Sequence, residues 1–313
     1  MIQCDGVSLS YDGVRDAVSA VSFAVAPGSI FALVGPNGAG KTSTLRMLAT
    51  LQTPSSGAIR IDGLDVARDP EGARRRVGYL PDNFALYDQM TPVDYLDFFG
   101  RLHEVDDTTR KKRIDALLDE LDLTQKRGAA IRSLSRGMRQ RLGVAKTLMH
   151  APKVLLLDEP ASALDPGARM KLRDALLRWK GRGLAIIISS HILPDLAGLA
   201  DAVGIMEGGR MICAGAIDAV QRQGGAAART TYVIEVLANA DKAARVLADF
   251  GPRLGAHREV APGRFELELD GGPDALASLV EALVLRGARL THVAPRESAI
   301  EAVYRRSAAT EVA

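Results

Sequence analysis

The stretch Ile30-Phe31-Ala32-Leu33-Val34-Gly35-Pro36-Asn37-Gly38-Ala39-Gly40-Lys41-Thr42-Ser43 decides how the rest of the chain is read. Its first five residues form an apolar run of strand length, and Lys41–Leu51 has helical composition. Between them, Gly35 to Thr42 satisfies the spacing G-x-x-x-x-G-K-[ST]. Glycines there let backbone N–H groups turn inward around phosphate oxygens, and the start of a helix adds partial positive charge. Lys41 is placed to reach the outer phosphates, and Thr42 offers a hydroxyl to Mg²⁺. Strand, glycine loop, helix is the opening of an α/β nucleotide-binding fold.

Working outward, Val154–Leu157, Ala185–Ile188 and Ala202–Met206 are short continuous apolar runs. Such runs suit strands covered on both faces. Between Pro92 and His150 the pattern changes to helical periodicity, over Asp94–His103, Thr109–Leu121 and Ser135–His150. This predicts a helical insertion, about residues 83–150, in the α/β core. The small-residue run Gly224-Gly225-Ala226-Ala227-Ala228 reads as a linker. Beyond it the order β-α-β-β-α-β is predicted from Thr231–Leu237, Asp241–Phe250, His257–Val260, Arg264–Leu269, Ala275–Arg286 and Arg289–Ala294, a ferredoxin-like pattern. A last helix is expected near Glu297–Arg306. The predicted organisation is thus a nucleotide-binding unit over 1–223 and an accessory α+β unit over 224–313.

Composition narrows the function. At 313 residues two units are the natural expectation. Lys and Arg number 40 against 38 Asp and Glu, a balance too even for a chain that coats a phosphate backbone, so no nucleic-acid partner is expected. Arg74-Arg75-Arg76 and Lys111-Lys112-Arg113 are read as solvated helix faces, Trp179 as packing, and Cys4 and Cys213 as inert small side chains. No apolar run approaches the ~20 residues of a membrane span, and the N-terminus shows no secretory pattern. A soluble intracellular chain is expected, with any membrane role supplied by a partner.

Three later features select the chemistry. Val154-Leu155-Leu156-Leu157-Asp158-Glu159-Pro160 is a buried strand that delivers two carboxylates at its end. Asp158 is placed to hold the Mg²⁺ shell and Glu159 to polarise an attacking water. Leu134-Ser135-Arg136-Gly137-Met138-Arg139-Gln140-Arg141 heads a helix, and Ile188-Ser189-Ser190-His191 ends a strand on a histidine.

This combination resembles the ATP-binding subunits of ABC transporters, over about residues 1–220. The matching parts keep the family's order: Walker A loop at 35–42, signature at Leu134–Met138, Walker B strand at 154–159, D-loop Ser162-Ala163-Leu164-Asp165, switch histidine His191. Tyr11 falls where that family places an aromatic that stacks on adenine. The resemblance implies a P-loop ATPase that uses ATP and Mg²⁺. Gly35, Pro36, Asn37, Gly38, Ala39, Gly40, Lys41, Thr42 and Ser43 would hold the nucleotide with Tyr11. Glu159 and His191 would be catalytic, and Thr42, Asp82 and Asp158 would serve the metal. It further implies a head-to-tail homodimer in which Ser135 and Gly137 of one copy contact the ATP of the other. An integral-membrane permease would dock its coupling helix near Asp82–Phe99, where Phe84, Leu86, Tyr87, Phe98 and Phe99 concentrate, at the cytoplasmic face of a bacterial membrane. Two of its motifs depart from the family pattern. Arg136 and Met138 stand where the commonest signature has glycine and glutamine, a variant similar to that of ABC-2 exporter ATPases, and Asp82 replaces the usual glutamine. Asp82 is one methylene shorter, so it is expected to meet the metal through a water.

Overall fold

The computed structural model describes residues 1–162, 164–192, 196, 198–217, 219–220 and 230–296. They divide into two units, Met1–Ile217 and Asp218–Ala313. The anticipated linker at 224–228 and the final helix at 297–306 lie outside the described residues.

Two sheets build the first unit. The outer one is antiparallel, in the order β2 (Asp16–Val25), β1 (Ile2–Ser10), β4 (Ser56–Ile61), β5 (Leu64–Asp65). The inner one has six strands: β10 (Arg210–Ala216), β9 (Ala202–Glu207), β3 (Ile30–Val34), β8 (Ala185–Ser190), β7 (Val154–Asp158) and β6 (Val77–Leu80). All but β10 run parallel. Every residue of β3, β7 and β8 is buried, which explains why they are apolar up to Asp158 at the end of β7 and Ser189-Ser190 at the end of β8. The four apolar runs read from the sequence are β3, β7, β8 and β9. Parallel pairing sets Leu80 beside Leu157, Asp158 beside Ser189 and Val34 beside Ser190. The C-terminal ends of the five parallel strands therefore share one edge, where sheets of this kind bind ligands.

Helices follow three of those ends. α1 (Lys41–Leu48) leaves β3, and α6 (Pro166–Gly181) follows β7 with Asp165 as N-cap and Pro166 in its first turn. Between β6 and β7 come α3 (Pro92–Leu102), α4 (Asp107–Glu120) and α5 (Arg136–Thr147), the anticipated helical insertion; α2 (Pro70–Arg74) is a short turn before β6. Thr91 and Asp94 form a capping box at the head of α3. Buried Arg110 joins α3 to α4, donating to Asp97 Oδ1 and Asp107 Oδ1 at 2.5 Å each and to Val105 O at 2.7 Å. A buried cation is tolerable only when its donors are matched in this way. The end of α4 is tied to α6. Trp179 Nε1 donates to Glu120 Oε2 at 2.6 Å, Arg182 to Oε1 at 2.7 Å, and Asp122 receives Lys171.

The two basic runs are not wholly solvated. Arg76 pairs with Asp62 at 3.0 Å, and Arg113 donates to Met149 O at 2.6 Å. Cys4 is buried, which pushes its thiol up to about 12 and keeps it unreactive. Among the described residues no helix is long and apolar enough to cross a membrane.

The second unit runs β11 (Thr230–Ala238), α7 (Ala240–Asp249), β12 (Leu254–Ala261), β13 (Arg264–Leu269), α8 (Gly272–Leu285), β14 (Arg289–Pro295). Its antiparallel sheet has the order β12-β13-β11-β14, the ferredoxin-like topology expected from the alternation. One face carries Tyr232, Ile234, Phe265, Leu267 and Leu269 against Val246, Leu247, Leu279 and Leu283 of the helices. A core of its own predicts independent folding. A chain ending at residue 223 should remain soluble and unfold in one cooperative transition by calorimetry. Aggregation of that truncated chain would show that the two units share a core.

A second prediction concerns acid. The rings of His103, the C-cap of α3, and His150 stack with centroids 4.2 Å apart, and His150 Nε2 lies 3.0 Å from Val77 O. Burial first, then the neighbouring His103, push His150 down from 6.5 to about 4. The folded state thus holds the ring neutral. Its contribution is complete above the unfolded value near 6.5 and is lost as pH falls through 4. Urea unfolding at about pH 7.5 and about pH 5 should show wild type losing more stability on acidification than His150→Gln. Equal losses would mean that another group titrates.

Candidate functional site

The loop from β3 to α1 is shaped by glycines that other residues could not replace. A Cβ on Gly35 would lie 2.2 Å from Met206 O, and one on Gly40, whose φ is 98°, would lie 2.7 Å from Ala17 O. The loop wraps a cavity of about 210 Å³ lined by Asn37 to Ser43 with Ala17, Asp82, Asp158 and Glu159. Gly40, the N-cap of α1, offers no side-chain acceptor, and no acidic residue occupies the first turn. The N–H groups and positive end of α1 are therefore available to an anion.

Lys41 is buried, and its Nζ donates to Gly35 O at 2.7 Å and Pro36 O at 3.1 Å, with Glu159 Oε1 at 3.9 Å. Burial pulls its pKa down, while Glu159 and Asp158 hold it up. An ammonium has three donors, and here two of them meet carbonyls of the loop itself, which leaves capacity for a further oxygen ligand.

The carboxylates are placed through one hydroxyl. Ser189, fully buried at the end of β8, donates from Oγ to Asp158 Oδ1 at 2.5 Å and accepts from the backbone N–H of Glu159 at 3.0 Å. Glu159 has φ 47°, a left-handed conformation that costs energy for a residue with a Cβ. That turn brings its Oε2 to 2.9 Å from Nδ1 of His191. Two buried oxygens here, Asp158 Oδ2 and Glu159 Oε1, have no hydrogen-bond partner among the described residues.

These features fit a nucleotide with a divalent cation. The loop is a cradle that a Cβ would fill, Asp158 Oδ2 is an orphaned acceptor, and the side chain of Thr42 is exposed beside it in the same cavity. Tyr11 is held at the rim, its hydroxyl 3.1 Å from Ser43 Oγ. Asp82 lines the cavity as well. Ser135 and Gly137 do not line it. Ser135 is the N-cap of α5, its Oγ accepting from Met138 N at 3.3 Å, and Gly137 lies against Leu164 and Ala168. Ala163, the second residue of the anticipated D-loop, lies outside the described residues. Sequence reasoning passed over Ser189, although a hydroxyl ending an apolar strand beside His191 was its signal.

A family model described as ABC transporter matches residues 18–162. A daunorubicin resistance ATP-binding protein of Streptomyces coeruleorubidus is 32% identical over 97% of this chain and 94% of its own length. A Nod factor export ATP-binding protein of Ralstonia nicotianae is 37% identical over 69% of this chain and 67% of its own. A solved ATP-binding subunit of an ABC transporter superposes with a TM-score of 0.66 at 30% identity, covering 71% of this chain and 92% of that one.

The hydroxyl bridge can be tested directly. Ser189→Ala leaves a buried carboxylate oxygen and a backbone N–H unmatched, and should lower unfolding stability by roughly 1–3 kcal/mol. Chemical denaturation checks this, and a variant as stable as wild type would show the bridge to be dispensable.

Proposed function

Because the chain belongs to the family of ABC transporter ATP-binding proteins, we propose that it hydrolyses ATP as the nucleotide-binding subunit of an exporter. The observation that carries the reading is the grouping of Lys41, Asp158, Glu159 and His191 about the glycine loop, with Glu159 held 2.9 Å from the histidine. Backbone N–H groups of Gly38 to Thr42 and the ammonium of Lys41 bind the phosphates, and Tyr11 supplies a face for the base. Thr42 and Asp158 would hold Mg²⁺, and Asp82 would reach it through a water. The cation, when bound, neutralises charge that develops on the phosphate oxygens.

Glu159 orients a water and takes its proton as the oxygen attacks the outer phosphorus, whose bond to the β–γ bridging oxygen breaks, so that ADP leaves with that oxygen and the outer phosphoryl group leaves as phosphate. His191 fixes the carboxylate through Oε2, and Ser189 fixes the backbone that carries it. Binding of two nucleotides brings two copies together head to tail, so that Ser135 and Gly137 of each complete the site of the other. Hydrolysis removes the phosphate on which closure depends, and association becomes a ligand-driven switch.

The power stroke is delivered to an integral-membrane permease at the cytoplasmic face. Tyr87 and Phe98, both exposed, belong to an edge-to-face cluster with Tyr95 and Phe99 at the head of the helical insertion. An exposed aromatic surface of this kind suits a partner helix. The export direction is supported by the relatives named for resistance and export. The second unit adjusts dimer lifetime or coupling without supplying chemistry.

Glu159→Gln keeps the shape of the side chain and removes the base. ATP turnover should fall by about a hundredfold or more while ATP affinity persists, and gel filtration with ATP and Mg²⁺ should show a trapped dimer. Near wild-type turnover would remove Glu159 from the mechanism.

A further inference from the structure

Asp82 belongs to two cavities. It lines the phosphate-loop cavity with Lys41 and Asp158. It also lines a separate polar cleft of about 650 Å³, together with Asn83, Phe84, Arg136, Arg139 and Gln140. Three formal charges therefore face that cleft. Arg139 is already engaged, 2.8 Å from Asp88 Oδ1. The side chains of Asp82 and Arg136 are both exposed, and neither makes a hydrogen bond or ion pair among the described residues.

Arg136 is also in an unfavourable place by itself. It is the first residue of α5, and no acidic residue shares that first turn. A cation there faces the positive end of the helix dipole. Ser135 caps the helix and fixes the backbone, so a carboxylate within reach of the guanidinium would offset the unfavourable dipole. Among the described residues that line the cleft, Asp82 is the carboxylate.

We propose that Arg136 is the counter-charge of Asp82, a positioning residue that neutralises this carboxylate across the cleft and so sets how strongly the phosphate-loop cavity repels nucleotide lacking Mg²⁺. The proposal rests on the reading of that cavity as an ATP site. An uncompensated Asp82 adds a negative charge beside a triphosphate, and Mg²⁺ masks the repulsion. The effect of Arg136 therefore falls on metal-free ATP far more than on the Mg²⁺ complex. The two departures from the family pattern become one: an acid in one loop and the base that balances it in another.

The experiment is ATP titration calorimetry on the full chain, with Mg²⁺ and with EDTA, for wild type, Arg136→Ala, Asp82→Asn and the double variant. Arg136→Ala should weaken metal-free ATP about threefold or more relative to the Mg²⁺ complex, and the same change made on Asp82→Asn should shift that ratio by less than about twofold. Arg136→Lys, which keeps the charge, should restore the wild-type ratio. If Arg136→Ala weakens both forms equally in both backgrounds, the proposal is overturned and Arg136 acts on phosphate or on the fold instead. A wild type that binds no ATP would overturn the nucleotide reading itself, and this proposal with it.

Discussion

Parallel pairing of β3, β8 and β7 in a single register is the constraint on which the site depends. It brings the glycine loop, the Asp158-Glu159 pair and His191 to one edge from three distant parts of the chain. A slip of one residue between β7 and β8 would move Asp158 by about 3.3 Å along the strand, beyond hydrogen-bond reach of Ser189. Complete burial of all three strands makes such a slip costly, because each apolar side chain sits in a matched space. The core is in this sense part of the chemistry.

The buried charges show two different solutions to one problem. Arg110 has a partner at each of its three nitrogens, two aspartates and a carbonyl, and these bonds hold α3 to α4. Lys41 is only provisionally satisfied, bonded to carbonyls of its own loop with Glu159 at a longer 3.9 Å. Asp158 keeps one oxygen bonded and the other unmatched. Groups buried in partial satisfaction cost stability unless something else completes them. The strained backbone of Glu159 belongs to the same account, since left-handed residues persist only where their surroundings over-determine them.

Much of this was legible in the chain because the signals are local. The glycine loop, the apolar runs of β3, β7, β8 and β9 and the helical periodicity of the insertion each occupy a few consecutive residues. The outer sheet was not legible, for a physical reason. In β1, Ile2 and Cys4 alternate inward, but the register shifts before Val7, so the apolar period breaks in mid-strand. Long-range bonds were equally hidden. Glu120 meets Trp179 and Arg182 at separations of 59 and 62 residues, and nothing near either partner announces the other. In the second unit, Pro262-Gly263 marked the hairpin, and the β-α-β-β-α-β order led to the correct strand arrangement.

The bond between Trp179 and Glu120 gives the chain a built-in optical reporter. Trp179 is the single tryptophan of the sequence, buried at 4% exposure, with its indole nitrogen donating to a carboxylate at the end of α4. Emission from an indole responds to its polarity and to charge beside the ring, so the entire tryptophan signal of this protein originates at the junction between the helical insertion and α6. Any movement that parts these two helices replaces a carboxylate with water and shifts that emission. A motion of the insertion against α6, were one to occur, could thus be followed in real time on the unlabelled chain.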